Sequence, residues 1–509
     1  MRKVIVIGAG MGGMAAAARL ARAGFAVEIF EASDRVGGKC RTEWIGDYAF
    51  DTGPSLLTLP AVYRDLFKKT GKRLELIKEL QPVDPAFSYT FADGTHLTFP
   101  NLSLPKICDE IDRVLGKEAG NQWHTLVQHA ESMWDVARTP FIESELPSLG
   151  ALLRRRGFLR DLKRISPLTT LDAFTSKYTS NPYLTKIIHR YATYTGSDPR
   201  EVPAVLLTIA FVEITFGAWH IQGGIGTLAQ ALGQRCEELG VNIHLNSPVE
   251  KIATDSEGAT GIYAGGILYK SDYVISNADS EITFNTLLDS SEKRVKSERK
   301  KLAKSEKSFS GFSLLLGLDN GKITGDLPIL SHHNVYFPEN YSQEFDQLFK
   351  ERIPVTDPTI YICAPKDPTM VKGENKESWF VLVNAPLHEP EHGFDWQSNA
   401  DEYASFIIAK LDALGLRVSE RLDVCEIRTP HHLESSVFAP GGSIYGRSSN
   451  GVRAAFLRTK NKSSMKNLYS VGGSAHPGGG LPLVGISGEL VAESIIAAQG
   501  GIGIAKDYH

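Results

Sequence analysis

The fold of this 509-residue chain is decided by its opening stretch, Val4-Ile5-Val6-Ile7-Gly8-Ala9-Gly10-Met11-Gly12-Gly13. The apolar run at 4–7 predicts a strand that is covered on both faces. Residues 11–23 are rich in Ala and Leu and predict a helix, with Gly24 as its stop signal. Residues 26–30 (AVEIF) predict a second strand. The opening is therefore a βαβ unit, which is the building block of a parallel sheet covered by helices.

The turn between this strand and helix has the spacing G-x-G-x-x-G, with Gly8, Gly10 and Gly13 at the defining positions and Gly12 beside them. The first glycine permits a tight turn, the second lets the backbone approach a pyrophosphate, and the third lets helix and strand pack closely. The free N–H groups of the helix N-terminus then favour phosphate. Glu31 follows the second strand, where a carboxylate accepts hydrogen bonds from a ribose and argues against a 2′-phosphate, and so against NADP. We therefore predict a dinucleotide site.

The composition excludes several classes of protein. Lys and Arg number 55 against 59 Asp and Glu, a net charge of −4, whereas nucleic-acid binders usually carry a basic excess. The five cysteines are scattered and lack CxxC spacing, which predicts reduced thiols in the cytoplasm, with no zinc site and no disulfide framework. We expect no nucleic-acid partner and no metal.

Two segments bear on membranes. The apolar run Pro203–Trp219 has about 17 residues and contains Glu213, whereas a membrane span needs about 20 with few charges, so it predicts a buried helix. The basic amphipathic stretch Leu152–Leu168 has two interpretations: it docks on an anionic membrane surface, or it is a solvated helix on a domain face. The basic run Glu292–Lys307 is interpreted as a solvated helix.

A second motif follows the ribose carboxylate, Arg35-Val36-Gly37-Gly38-Lys39-Cys40-Arg41-Thr42. It places two glycines and two cations beside the same dinucleotide. Because Lys39 and Arg41 alternate, one of them can reach a phosphate while the other faces away or pairs elsewhere. Residues 4–42 resemble the FAD-binding start of the flavoprotein superfamily that contains amine oxidases, protoporphyrinogen oxidases and carotenoid desaturases. The resemblance implies FAD, with Glu31 on the adenosine ribose and both cations near the pyrophosphate or the ribityl chain.

Further stretches are similar to the bacterial phytoene desaturase-type members of that superfamily. These are Phe50–Leu57 (FDTGPSLL), 190–199 (RYATYTGSDP), 276–279 (SNAD), His332-His333, 357–361 (DPTIY) and Val471–Pro482 (VGGSAHPGGGLP). Together with the opening, the matches span nearly the whole chain. The cofactor-binding positions that the resemblance implies in these segments are Ser55, Leu56, Asn277, Gly473, Leu481 and Pro482. Val249 resembles the position whose backbone meets the adenine, although a valine also suits a core strand.

The C-terminal motif predicts a strand ending at Val471 and a helix beginning near Val484. The N-terminal dipole of that helix would point at the flavin edge where negative charge develops on reduction. The motif departs from much of the superfamily at one position, because Ser474 stands where many members carry an acidic residue. The departure fits the desaturase subgroup and leaves the ribityl contacts open.

No catalytic group follows from the motifs. The sequence has no Ser/His/Asp triad spacing, no HExxH motif and no clustered metal ligands. The adjacent pairs His332-His333 and His431-His432 are expected to point to different faces, so that neither pair forms a chelate. Glu213 is the one candidate, as a buried carboxylate with a raised pKa. The more ordinary interpretation of Glu213 is a surface or structurally paired glutamate.

The resemblance implies a discontinuous Rossmann-like FAD-binding domain of class α/β, with an inserted helical and mixed α+β substrate domain. We predict that the FAD-binding domain comprises residues 1–103, 220–290 and 430–509. Residues 104–219 form a helical, membrane-facing substrate or cap region, and residues 291–429 form a substrate-binding α+β region. The implied activity is an FAD-dependent carotenoid desaturase that introduces conjugated C=C bonds into an acyclic polyene. Phytoene-type desaturation and 3,4-desaturation of a hydroxy- or methoxycarotenoid are both open, and residues 191–199 favour the second.

Three other functions are compatible with the motifs: a carotenoid cis-trans isomerase, an amine oxidase, and a non-catalytic flavin-containing carotenoid-binding protein. No second G-x-G-x-x-G follows a predicted strand. We therefore expect no NAD(P)H domain, and oxygen or a quinone as the electron acceptor. Because a carotenoid partitions into lipid, the resemblance favours membrane docking and a cytoplasmic, peripherally membrane-associated protein.

Overall fold

The computed structural model describes residues 1–76, 79–146, 158–327, 329–392, 394–451, 454 and 458–500. Its strands are β1 (Lys3–Ile7), β2 (Ala26–Phe30), β3 (Thr42–Ile45), β4 (Tyr48–Asp51), β5 (Leu80–Pro82), β6 (Phe87–Thr90), β7 (His96–Phe99), β8 (Trp219–Ile221), β9 (Asn242–His244), β10 (Val249–Thr254), β11 (Ala259–Ala264), β12 (Ile267–Lys270), β13 (Tyr273–Ser276), β14 (Ser310–Asp319), β15 (His333–Tyr336), β16 (Ile360–Cys363), β17 (Lys376–Ala385), β18 (Leu422–Arg428) and β19 (Leu468–Ser470). Its α-helices are α1 (Met11–Arg22), α2 (Ala61–Lys69), α3 (Leu104–Leu115), α4 (Ala119–Phe141), α5 (Phe158–Ile165), α6 (Leu171–Thr175), α7 (Pro182–Thr193), α8 (Thr208–Phe216), α9 (Gly226–Glu238), α10 (Lys296–Lys304), α11 (Tyr341–Asp346), α12 (Trp396–Ala413), α13 (Val418–Arg421), α14 (Pro430–Val437) and α15 (Leu481–Ala497).

The first sheet is parallel and has the strand order β19-β13-β1-β2-β9. It therefore takes strands from both ends of the chain. Side chains of β1 alternate between its two faces: Val4 and Val6 pack with helices α1, α9 and α15, whereas Ile5 and Ile7 pack with the sheet β10-β11-β12. Because both faces are covered, β1 is a continuous apolar run, and the α/β fold predicted from it is confirmed.

The predicted βαβ unit agrees closely with the structure. Helix α1 ends at Arg22, with Ala23 as its C-cap, and Gly24 follows with φ +92°. A left-handed backbone of this kind favours glycine, which explains why the helix stops there. Strand β2 has the predicted bounds.

The second sheet has the strand order β18-β14-β17-β16-β15-β6-β7. Its pairs are antiparallel except for β15 with β6. Along β17 the side chains alternate: Trp379, Val381 and Val383 pack with helix α12 on one face, whereas Phe380 and Leu382 line a cavity on the other. The chain enters this sheet first at β6 and β7, within the range 1–103 that we assigned to the FAD-binding domain. The domain bounds remain a prediction.

A helical layer covers part of the same cavity. Helices α4, α7 and α8 pack with β6 and β7 in one apolar cluster. The run 203–219 forms the buried helix α8 after a short turn, and no described helix is long and apolar enough to cross a membrane. Of the basic stretch 152–168, residues 152–157 lie outside the described residues. Residues 158–165 form α5, on which Arg160, Lys163 and Arg164 are exposed.

Candidate functional site

A cavity of about 1200 Å³ extends from the glycine turn after β1 into the space between the second sheet and the helical layer. Its wall is mainly apolar and takes residues from both ends of the chain. The predicted cofactor-binding residues that line it are Gly8, Gly10, Gly12, Glu31, Lys39, Arg41, Ser55, Leu56, Val249, Asn277, Gly473, Leu481 and Pro482. The structure thus brings these positions to one cavity, although they are spread over most of the sequence.

The glycine turn is held in place by Asn277, which follows β13. Its Oδ1 accepts a hydrogen bond from the Gly13 N–H at 3.0 Å. A Cβ added at Gly10 would clash with the Asn277 side chain, and a Cβ added at Gly13 would lie 2.5 Å from the Gly8 carbonyl oxygen. Close packing therefore explains both glycines, against the Asn277 side chain at Gly10 and against backbone at Gly13. Asn277 acts on the turn as well as facing the cavity.

Glu31 is buried where β2 ends, beside the same turn. One carboxylate oxygen accepts a hydrogen bond from the Ala9 N–H at 2.7 Å. The other accepts hydrogen bonds from the N–H and the hydroxyl of Ser33 at 2.9 and 2.7 Å. These contacts fix the carboxylate in the cavity wall, which also includes Val249 of β10. The oxygen bonded to Ala9 retains capacity to accept from a ligand hydroxyl, whereas the other already accepts two hydrogen bonds.

The two cations of the second motif have different partners. The Lys39 ammonium donates to the carbonyl oxygens of Ser443 and Ile444 at 3.0 and 2.9 Å, and burial lowers its pKa. The Arg41 Nη2 group donates to the Ser33 hydroxyl at 2.7 Å, while its buried Nε has no hydrogen-bond partner among the described residues. Arg41 therefore presents an unused donor at the cavity, whereas Lys39 holds a neighbouring loop.

The C-terminal motif lies in the cavity wall beside the glycine turn. Helix α15 begins at Leu481, three residues before the predicted start at Val484. Pro482 lies in its first turn, where proline has a suitable φ and no N–H is needed, so the helix includes the end of the glycine-rich loop. Gly12 of the opening motif meets this loop, since a Cβ there would lie 3.0 Å from the Gly472 nitrogen.

Two side chains of the motif bind protein groups. The Ser474 hydroxyl accepts a hydrogen bond from the Ser280 N–H at 2.8 Å. The His476 Nε2 lies 2.9 Å from the Ser144 carbonyl oxygen, and burial lowers the His476 pKa to about 4. The imidazole is therefore neutral at pH 7 and donates from Nε2. Both contacts stabilise the loop that carries Gly473.

Arg458 is a cavity residue that no sequence motif indicated. Its guanidinium donates to the carbonyl oxygens of Gly473 at 2.9 Å and Arg447 at 3.1 Å. Burial lowers the Arg458 pKa to about 10, so the side chain still carries its charge at pH 7. A lone arginine between predicted elements gives no pattern, and its place beside Gly473 follows only from tertiary packing.

Glu213 is buried on α8, as a partner in a network and not as an isolated carboxylate. It forms an ion pair with Arg190 at 3.3 Å. It also accepts hydrogen bonds from the hydroxyls of Tyr191 at 2.9 Å and Tyr194 at 2.5 Å. These contacts match the interpretation of a structurally paired glutamate, and a catalytic role remains a prediction. Arg190 and Tyr194 line the cavity.

The expectation that His332 and His333 point to different faces is wrong. Their ring centroids are 4.5 Å apart, and their nitrogens and the Cys363 sulfur lie within 4.8 Å of one another. The alternation rule fails because β15 begins only at His333, so that His332 belongs to the preceding loop. The His333 Nδ1 lies 2.8 Å from the Tyr361 hydroxyl, which also lies 2.9 Å from the Ser55 hydroxyl.

The residues present fit an FAD. The glycine turn leaves bare backbone at the N-terminus of α1, the Arg41 Nε has no partner among the described residues, and Glu31 is fixed beside the turn. The N-terminus of α15 also opens on the cavity, beside Gly473. Together these groups match the donors that a pyrophosphate and a flavin require and the acceptor that a ribose requires.

Comparison with known proteins bears on this interpretation. Residues 11–298 match the family described as flavin containing amine oxidoreductase. The chain is 32% identical over 511 residues to a 4,4'-diapolycopene oxygenase from Methylomonas sp, covering 97% of this chain and 98% of the relative. It is 32% identical over 510 residues to a 1-hydroxycarotenoid 3,4-desaturase from Flavobacterium sp. (strain P99-3), covering 97% and 99%. A 4,4'-diaponeurosporene oxygenase from Staphylococcus aureus (strain MRSA252) is 30% identical over 505 residues, covering 98% and 99%.

Solved structures share the fold. A putrescine oxidase bound to putrescine superposes with a TM-score of 0.65 at 15% identity, covering 97% of this chain and 99% of the other. An oxidoreductase from Methanosarcina mazei superposes with a TM-score of 0.62 at 17% identity, covering 97% and 100%. At these identities the likeness concerns the fold alone.

Proposed function

This chain belongs to the flavin-containing amine oxidoreductases, as a carotenoid desaturase-type FAD-dependent oxidoreductase, and we propose that it dehydrogenates an acyclic polyene in carotenoid biosynthesis. The reaction removes hydrogen from adjacent carbons and leaves a new C=C bond in conjugation with the existing ones. Both 3,4-desaturation of a hydroxy- or methoxycarotenoid and phytoene-type desaturation are retained as proposals.

The observation that carries this proposal is the continuity of the cavity. The space beside Gly10 and Glu31 extends without interruption to an apolar region lined by Trp134, Ile209 and Leu382. A polyene is long and apolar and therefore matches such a region. A wall of this kind also excludes water from the reacting carbons.

A bound FAD supplies a hydride acceptor for a substrate C–H bond. We propose that Glu31 holds the adenosine ribose, that Val249 contacts the adenine, and that Arg41 and the N-terminus of α1 hold the pyrophosphate. Lys39 then acts on the same cofactor indirectly, by positioning the loop at 443–444 through its two hydrogen bonds.

The remaining positions belong to the flavin end of the proposed site. Gly473, Leu481 and the N-terminus of α15 stabilise negative charge at the flavin edge. Ser55 and Leu56 would help to hold the flavin ring, since both line the same cavity. Arg458 adds a fixed positive charge beside Gly473, with its guanidinium held by two carbonyl oxygens. Asn277 and Pro482 shape the glycine turn and the helix start.

Oxidation of a terminal methyl group is a second candidate function, because the Methylomonas and Staphylococcus aureus relatives carry oxygenase names. The two functions differ in their products: a desaturase removes two hydrogens for each new double bond, whereas an oxygenase adds oxygen. Mass spectrometry of the pigment separates them.

The electron acceptor and the membrane contact are further parts of the proposal. We propose oxygen or a quinone as the acceptor, since the sequence has no second dinucleotide motif. We propose peripheral docking through α5, whose Leu162 and Ile165 pack against Ala137 and Phe141 of α4. Those two α4 residues also line the cavity, so α5 lies over the part of the wall where a lipid-dissolved substrate would enter.

The test is expression in bacteria that accumulate one acyclic carotenoid precursor, either hydrocarbon or 1-hydroxylated. We expect a red-shifted pigment that has lost two hydrogens per new double bond. The Gly10→Val variant is the matched negative control, because its side chain collides with Asn277 in the pyrophosphate turn. An unchanged pigment in every host, with FAD bound to the purified protein, would refute the proposal.

Other outcomes of the same experiment identify the alternative functions. A change of polyene geometry without loss of hydrogen, obtained anaerobically, indicates an isomerase. Peroxide formed from amines indicates an amine oxidase. Tight polyene binding without any chemical change indicates a carotenoid-binding protein.

A further inference from the structure

Three buried polar atoms without hydrogen-bond partners among the described residues belong to side chains that line the cavity: Arg190 Nε, Tyr341 Oη and Thr359 Oγ1. The three residues are 7%, 4% and 7% exposed. We propose that they form a subsite that binds an uncharged oxygen function, a hydroxyl, ether or carbonyl, at the end group of the polyene. The inference rests on the proposed function, because it names the substrate class of the same cavity.

The three side chains come from separate elements that meet at this part of the wall. Arg190 projects from α7, with its guanidinium carbon 4.5 Å from the ring centroid of Phe87. Tyr341 begins α11, and Thr359 directly precedes β16. The hydroxyls of Tyr341 and Thr359 are close neighbours, yet their geometry falls short of a hydrogen bond.

The Thr359 backbone is fixed by α11. Its N–H donates to the Glu344 carboxyl at 2.8 Å, and Glu344 lies one turn after Tyr341. The same carboxyl accepts from the Asn384 side chain at 2.6 Å, which anchors the loop to β17. The backbone that carries both hydroxyls is therefore held in place by hydrogen bonds.

The charge balance of the cluster selects the ligand class. The Arg190 guanidinium is paired with Glu213 at 3.3 Å, and its terminal nitrogens donate to the hydroxyls of Tyr194 and Tyr89 at 2.8 and 3.0 Å. Only Nε remains without a partner among the described residues. Because Glu213 already balances the charge, a carboxylate ligand would bring an uncompensated negative charge, whereas a neutral oxygen accepts from Nε without that cost.

Unpartnered buried groups are costly, at about 1–3 kcal/mol each. A hydrocarbon end group would leave all three atoms unsatisfied, whereas a hydroxyl oxygen can accept from Arg190 Nε and donate to one of the two side-chain hydroxyls. A site built to hydrogen-bond a substrate hydroxyl discriminates strongly against an analogue that lacks it. The cluster is therefore a specificity determinant in an otherwise mainly apolar cavity.

The cluster lies close to the proposed flavin end of the cavity. Phe87, under the Arg190 guanidinium, stacks on His333 with centroids 5.1 Å apart. His333 is hydrogen-bonded to Tyr361, and Tyr361 to Ser55. A short chain of contacts thus connects Arg190 to Ser55.

The experiment compares two polyenes that differ only in a terminal hydroxyl. Their equilibrium binding to the FAD-loaded protein is followed by quenching of tryptophan fluorescence, since Trp134 lines the cavity. We expect the hydroxylated polyene to bind at least about tenfold more tightly. In the Tyr341→Phe/Thr359→Val double variant this preference should be lost.

The double variant is informative because neither hydroxyl has a hydrogen-bond partner of good geometry among the described residues, although the Thr359 hydroxyl lies close to both the Tyr341 hydroxyl and the Glu344 carboxyl. Its Tm should be unchanged or raised, so a lost preference cannot be attributed to misfolding. Tyr403→Phe is the matched control: its hydroxyl donates to the Val355 carbonyl at 2.8 Å away from the cavity wall, so the change should lower Tm without altering the preference. Arg190 is tested together with its partner, as Arg190→Met/Glu213→Gln, which leaves no buried charge unpaired.

Two results overturn the subsite: equal binding of both polyenes by the unmodified protein, or a preference that survives in the double variant. Ordered water would then be the partner of these groups. If the hydrocarbon is desaturated but no preference exists, the subsite fails and the proposed function stands. If the hydroxylated polyene is preferred but no polyene is ever changed chemically, the proposed function fails and the subsite stands.

Discussion

Individual side chains decide how the cavity responds to pH and to its cofactor. Glu344 is 1% exposed, and burial raises its pKa to about 7 from an ordinary value of 4.5. Contacts from the Thr359 N–H and hydroxyl and from Asn384 offset only part of this burial effect. The proton on Glu344 is therefore exchanged near physiological pH, next to the wall of the cavity.

Glu344 makes folding stability depend on pH. Its folded pKa of about 7 lies above its unfolded value of 4.5, so its contribution is fully present below pH 4.5 and is lost as pH rises through 7. We expect Glu344→Gln to remove this loss. The difference in unfolding free energy between the variant and the unmodified protein should therefore shift in favour of the variant by up to about 3 kcal/mol between pH 4.5 and pH 8. Urea unfolding across this range, with exposed Glu402→Gln as control, measures it. Parallel pH profiles for Glu344→Gln and unmodified protein would contradict the assignment.

Glu31 is the residue on which FAD affinity should depend most directly. Its carboxylate is oriented by three hydrogen bonds from Ala9 and Ser33. Glu31→Gln places an amide donor against these donors and removes the charge-assisted contact with the ribose, so we expect the Kd for FAD to rise about ten- to a hundredfold. Flavin fluorescence during equilibrium release measures the change.

Glu28, on the strand β2 that directly precedes Glu31, is the matched control for Glu31. It pairs with Lys3 and His244 and does not line the cavity. Glu28→Gln should therefore leave the FAD Kd unchanged. An equal effect of the two substitutions would assign the loss to the sheet and not to the ribose contact.

At the scale of secondary structure, the site depends on two helices from opposite ends of the chain. Helices α1 and α15 pack side by side through small residues. A Cβ added at Gly488 would lie 2.6 Å from the Gly12 carbonyl oxygen and 2.8 Å from the Ala15 Cβ. Both helix N-termini open on the cavity. Their close approach therefore sets the spacing between the proposed pyrophosphate and flavin ends.

Gly488→Val should separate these helices. The added bulk meets backbone, which cannot rotate away, so we expect a loss of about 1–3 kcal/mol in stability together with weaker FAD binding. Ala497→Val introduces a β-branched residue at the exposed end of the same helix. It should lower the free energy of unfolding by only a few tenths of a kcal/mol, because valine has a lower helix propensity than alanine. Thermal unfolding of the FAD-loaded proteins gives the comparison. Equal effects at the two positions would exclude the packing explanation.

At the scale of the whole molecule, the distribution of exposed charge decides how the protein meets a lipid surface. Arg160, Lys163 and Arg164 are exposed on α5, and Leu168 just beyond it is 81% exposed. Helix α10 carries a comparable set of exposed lysines, Lys296, Lys300 and Lys304, away from the cavity wall. Comparison of the same charge reversal on the two helices therefore distinguishes the effect of net charge from the effect of where the charge lies.

Reversal of the three α5 charges to Glu should weaken binding to anionic lipid vesicles at least about a hundredfold, since each basic residue contributes about 1 kcal/mol near such a surface. Co-sedimentation with vesicles of mixed neutral and anionic lipid measures the binding, which should also fall with salt. Reversal of the three α10 lysines changes the net charge equally and should have little effect. Equal losses in both variants would mean that net charge and not α5 governs the contact.

The sequence by itself determined the βαβ opening, the glycine turn and Glu31, because these depend on residues that are neighbours along the chain. A strand, a turn of three spaced glycines and a capped helix are local structures, and their spacing is readable without knowledge of the rest of the molecule. The C-terminal glycines were recognisable for the same reason. The start of α15 was displaced by three residues, because Pro482 is favourable inside a first helical turn.

Only the tertiary structure decided which distant residues meet at the cavity. Arg458 beside Gly473, Lys39 on the loop at 443–444, and Arg190 with Tyr341 and Thr359 are set by the packing of separate elements. No periodicity or spacing relates them, since burial and hydrogen-bond satisfaction depend on contacts between residues far apart in sequence. The motifs thus predicted a flavin site, whereas the polar cluster that we propose to select the polyene exists only in the folded molecule.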